Sequence, residues 1–65
     1  MDIEIKLEQA LKDLKQVNGW ILDKGKERKS HGHHFEAEPY FEQAIQLDTA
    51  ITALTGVLEN LKKEG

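Results

Sequence analysis

Residues 40–61 read YFEQAIQLDTAITALTGVLENL, and the spacing of apolar side chains in this stretch decides the fold. Tyr40, Ala44, Leu47, Ile51, Leu54, Leu58 and Leu61 follow one another at steps of 4, 3, 4, 3, 4 and 3. A helical turn of about 3.6 residues brings side chains three and four apart onto one face, so this is a helix with an apolar seam. The seam fits a neighbouring helix packed nearly parallel or antiparallel. Pro39 suits a first helical turn, where its missing N–H has no partner to lose. Glu38, preceding a proline, is biased away from helical geometry. Lys62 and Lys63 suit the C-terminal end, where the helix dipole favours cations. This second helix is expected from about residue 39 to about residue 62.

Upstream the same period recurs without any sequence repeat. Ile3, Leu7, Ala10, Leu14, Val17 and Ile21 step by 4, 3, 4, 3 and 4, with Leu11 widening the stripe on one side. Asp2 is a good N-cap, and Glu4 lies in the first turn where a carboxylate suits the dipole. Asn18-Gly19 is a turn signal, yet Ile21 keeps the phase of Leu14 and Val17, so the helix continues to about Asp23 or Lys24. Gly25 is a natural stop. The fold expected for residues 1–65 is one all-α domain, an antiparallel hairpin of helices over about 3–24 and 39–62. The connection over about 25–38 would then be unusually long for a compact domain. The alternative extends the helices to Lys29 and His34 and leaves Ser30–His33 as a tight turn centred on Gly32.

A chain of 65 residues gains little from a single core. It has no cysteine, so no disulfide can compensate. The second helix carries apolar surface over more than half its circumference, because Ala50 and Val57 flank the seam on one side and Phe41 and Ile45 on the other. One partner helix covers a single stripe. A homo-oligomeric helical bundle, four helices from two hairpins, would cover the rest. Trp20, about 120° from Leu14 at 100° per residue, points to the same need. Trp20, Phe41, Ile45, Ile51, Leu54, Val57 and Leu58 are the residues expected at the oligomer interface. Asn18 and Asp48, at the seam edges, would fix register and oligomer state.

The net charge is −3, which argues against a nucleic-acid binder. Lys24, Lys26, Arg28 and Lys29 against Glu27 nevertheless make residues 24–34 locally +3 on a body of −6. A positive segment on an acidic body suits a small anionic ligand or an acidic partner surface. Arginine and lysine hold phosphate, and aromatic faces stack on planar groups. A ligand site is therefore sought at Trp20, Lys24, Lys26, Arg28, Lys29, His31 and Tyr40. His31, His33 and His34 are possible metal ligands by residue type, but their spacing matches no zinc signature, and a solvated turn is the better reading. With one serine, no cysteine and no nucleophile motif, enzymatic activity is not expected, nor is a cofactor. No apolar run approaches membrane-spanning length, and Asp2–Lys6 alternates charge with no apolar leader core. A soluble cytoplasmic protein is expected.

Chain length, the two amphipathic helices, the pair Tyr40-Phe41 opening the second helix, and the stretch Ala53-Leu54-Thr55-Gly56-Val57 carry a resemblance. The sequence resembles small phage-encoded helical-hairpin proteins that oligomerise and sequester the cyclic nucleotide signals of bacterial antiviral defence. That family has an arginine-threonine step in its second helix; here Gln46-Leu47 and Asp48-Thr49 stand instead. The resemblance implies a sponge for a phosphate-bearing cyclic nucleotide. The residues themselves favour a non-enzymatic oligomeric interaction protein that binds a protein partner as a regulator or inhibitor.

Overall fold

The computed structural model describes residues 2–64 and is an all-α antiparallel hairpin. Helix α1 spans Ile3–Ser30 and helix α2 spans His34–Glu64. The Asp2 carboxylate caps α1, accepting from the backbone N–H of Glu4 at 2.9 Å and of Ile5 at 3.3 Å. These are two of the four N–H groups that a helix start leaves without a partner.

Both helices run past the limits of about 24 and 39, and the connection over 25–38 shrinks to three residues. Gly25 does not stop α1, because it serves a different purpose. It is buried, and a methyl group placed on it would lie 3.0 Å from the Phe41 ring. Glycine there lets α2 approach closely, and the helix continues through it. The true stop is Gly32, at φ 80°. The N–H of His33 donates to the Arg28 carbonyl at 2.9 Å and that of Gly32 to the Lys29 carbonyl at 3.1 Å. This pair of bonds is the Schellman closure, and it needs the left-handed conformation that glycine adopts without strain. Pro39 in turn lies one turn inside α2, not at its start. The Ala37 N–H donates to the His33 carbonyl at 3.1 Å, so helical bonding is under way before the proline is reached.

The α2 seam read from the sequence is the seam observed: Tyr40, Ala44, Leu47, Ile51, Leu54, Leu58 and Leu61 are all buried or half-buried. On α1 the contact stripe is rotated. Leu11 is buried, whereas Ile3, Ala10 and Val17 stay exposed. The observed inner stripe is Leu7, Leu11, Leu14, Asn18, Ile21, Gly25 and Arg28. Leu11, Asn18 and Gly25 are seven apart, so the close approach at Gly25 turns the whole Leu11 row inward. Leu11, Ile51 and Leu58 form the central cluster, with Leu7, Leu14, Leu47 and Leu54 packed around it.

The core is small. Among the described residues the buried apolar side chains are Leu11, Ala37, Ala44, Ile51 and Leu58, two of them alanine. The hairpin is a rod of 50 × 16 × 12 Å with a radius of gyration of 15.1 Å, against about 11 Å for a globule of this length.

Candidate functional site

The turn end of the hairpin gathers the most varied chemistry. Arg28, in the last turn of α1, faces the first turns of α2, and Arg28, Glu36, Pro39, Tyr40 and Gln43 line an open groove of about 460 Å³. The Arg28 guanidinium lies 3.5 Å from the Glu36 carboxylate. His33 Nδ1 lies 3.8 Å from the same Glu36 oxygen. Glu36 thus tethers the two helix ends across the turn. The Arg28–Glu36 pair is solvent-exposed, so its net contribution is small, about 0–1 kcal/mol. The groove offers a cation, an amide and a phenol around a carboxylate, which is binding chemistry.

The helix divides the cationic run. At 100° per residue, Lys24 and Arg28 fall on the side of α1 that borders this groove, and Lys26 and Lys29 fall on the other. Lys29 lines a second groove with His34, Ala37, Glu38 and Phe41. Trp20 is exposed one turn from Lys24, outside the residues that line either groove. Of the ligand residues sought in the sequence, Arg28 and Tyr40 therefore line one groove, and Lys24 falls on the same side of α1 one turn earlier. Lys26, Lys29 and exposed His31 do not join them. Glu36, Pro39 and Gln43 complete the groove without a signal of their own in the sequence. Placing the turn at Gly32 is what aligns them with Arg28, and the sequence left that placement open.

His31, His33 and His34 are not drawn together as a metal centre; among the described residues no three His, Asp or Glu side chains are arranged to hold an ion. The residues expected at an oligomer interface also separate. Ile51 and Leu58 are consumed by the hairpin's own core, and Phe41 packs on Gly25. Trp20, Ile45 and Val57 remain exposed, and Leu54 is half-buried. Asn18 lies on the inner stripe with its side-chain oxygen buried and unpaired. Phe35, at 89 % exposure, stands at the tip of the hairpin. Among the described residues no helix is long and apolar enough to cross a membrane. The chain matches no protein-family model, no curated protein and no solved structure.

Proposed function

We propose that this is a small, non-enzymatic helical interaction protein that assembles with copies of itself and acts by binding a protein partner. The observation that carries the assembly is surface area. The hairpin exposes 5122 Å², whereas a compact folded chain of this mass exposes about 4,200 Å². The excess of about 900 Å² is close to the roughly 800 Å² that each partner buries in a standard protein interface. Pairing of two hairpins into a four-helix bundle removes that excess. The tip, with Phe35, the histidines and the groove at Arg28, then stays free for a different protein. Sedimentation equilibrium at micromolar concentration tests the assembly: the expected mass is twice 7.4 kDa or more, and a monomer overturns it.

A second reading rests on the groove itself. Arg28 and Lys24 supply positive charge beside the Tyr40 ring, a combination that suits a phosphate-bearing nucleotide, as the resemblance to cyclic-nucleotide sponges implies. An incoming phosphate must compete with Glu36 for Arg28. Calorimetry against a panel of cyclic and linear nucleotides tests it. Saturable binding that is lost in Arg28→Ala supports the sponge, and absence of heat across the panel removes it.

A further inference from the structure

Resting on the self-assembly proposed above, we infer that the second copy docks on one particular side of the hairpin, the side bearing Ala10, Val17, Ala50, Leu54, Val57 and Leu61. The two sides differ in chemistry. Around α2, Leu47, Ala50, Leu54, Val57 and Leu61 form an uncharged stripe at steps of 3, 4, 3 and 4. It lies on the flank of the inner seam, and Val57 is still 48 % exposed there. Around α1, Ile3, Ala10 and Val17 form the matching flank, seven apart. This is the stripe that the sequence offers as the seam of α1 and that the hairpin leaves half uncovered. Because the helices are antiparallel, the two flanks open to the same side. The pairs Glu8–Lys62 and Gly25–Phe41 set the antiparallel register, so Ala10 is level with Leu54 and Val57, and Val17 with Leu47 and Ala50. Small Ala10 and Ala50 alternate with larger Val17, Leu54 and Val57, which gives both the knobs and the holes of helix packing.

Along the same turns of α2 the opposite side is the more polar. Glu8 and Lys62 form an ion pair across it at 3.1 Å, and Lys15, Asp48 and Thr52 are exposed on the same flank. Its apolar feature is a short groove of Leu22, Ala44 and Ile45 bordered by Asn18, Asp48 and Thr49. A third apolar stripe beside the two-stripe seam is the pattern of a bundle helix that has two neighbours. Both helices carry that stripe on the same side, so a two-fold axis can bring two identical faces together. The surface of the hairpin in excess of a compact chain of its mass, about 900 Å², matches roughly the 800 Å² per partner that a stable dimer needs. A second copy is the occupant that meets the face with an identical apolar row, and Lys24, Arg28 and Glu36, which follow on this side towards the turn, lie beyond that row.

The test uses the absence of native cysteine. Ala50→Cys and Thr52→Cys place a thiol on opposite flanks of α2, about 100° to either side of Ile51, with little disturbance to the fold. Alkylation is followed across a concentration series, with sedimentation on the same samples. For Ala50→Cys the rate is expected to fall with the monomer fraction, about tenfold once nine-tenths of the chains are paired. For Thr52→Cys it should not change. Protection of Thr52→Cys with Ala50→Cys left reactive overturns the assignment in favour of the other side. No protection at either position in a sample that sediments as a dimer overturns the face but keeps the assembly. A monomer throughout overturns both. As a second variant, Val57→Glu should weaken pairing at least about a hundredfold and Ile45→Glu should not; the reverse result also places the interface on the other side.

Discussion

At Gly25 a methyl group would meet three carbons of the Phe41 ring at 3.0–3.3 Å. Gly25→Ala must therefore displace an aromatic ring or the helix that carries it. It is expected to lower stability by about 1–3 kcal/mol in urea unfolding. Gly19 is the contrasting case, since nothing lies within 4 Å of a methyl group there and the residue is within α1. Gly19→Ala should raise stability by up to about 1 kcal/mol, the helix-propensity difference. Gly32 holds φ 80°, so Gly32→Ala forces a side chain into the left-handed region and should cost about 1 kcal/mol. Asn18 presents the polar version of the same comparison. Its buried side-chain oxygen has no hydrogen-bond partner, and an orphan of this kind costs about 1–3 kcal/mol. Asn18→Leu should raise the melting temperature if the site lies dry. A lower value would mean that the amide is satisfied in solution and that this polar seam residue fixes the register of the two helices.

Within the elements, the weak point is the first turn and a half of α2. Pro39 has no N–H to donate to the Phe35 carbonyl four residues before it, and its ring crowds that carbonyl. Glu36 is exposed and shared between Arg28 and His33. Away from the chain ends, amide exchange should accordingly be fastest over residues 34–43 and slowest near Ile51, in the core cluster. Pro39→Ala should slow exchange across residues 37–43 while leaving residues 51–58 unchanged, measured by native-state exchange and mass spectrometry. Pro39 also marks how far the hairpin could be read in advance. The period of α2 is legible because seven apolar residues share one stripe and little competes with it. The boundaries are less so, because proline and glycine are punctuation only in the absence of tertiary context. Gly25 looks like a stop until Phe41 is known to lie over it, and Pro39 looks like a start until the turn is fixed at Gly32. The α1 seam is ambiguous in the sequence for a related reason. Ile3, Ala10 and Val17 and the row of Leu11, Asn18 and Gly25 both fit the period, and packing against α2 chooses between them. The candidate site suffers most, since its cations are consecutive in sequence but are divided between two flanks by the helix. Arg28 and Tyr40 come together only after the turn closes.

For the whole molecule, the decisive quantity is how much of the native state's stability resides in one hairpin. Its core cluster holds three buried large apolar side chains, few for a chain of 65 residues. With so small a core a lone hairpin is marginal, and folding should be coupled to pairing. A coupled dimer has a melting temperature that depends on concentration, because association adds RT ln of concentration to the native side. For a chain of this size a tenfold rise in concentration should raise the melting temperature by about 4 °C. A hairpin that stays monomeric through its melt would give no such slope. Leu54 joins the two contributions at a single position, since it packs on the core cluster and also lies on the flank assigned to the second copy. Leu54→Asp should abolish helicity and association together in circular dichroism and sedimentation. Val57→Glu removes only the outer contact. If pairing supports the hairpin, it too should lose helicity at low micromolar concentration and recover it as concentration rises. Full helicity at every concentration would mean that the hairpin folds alone and that assembly is a later, separable step.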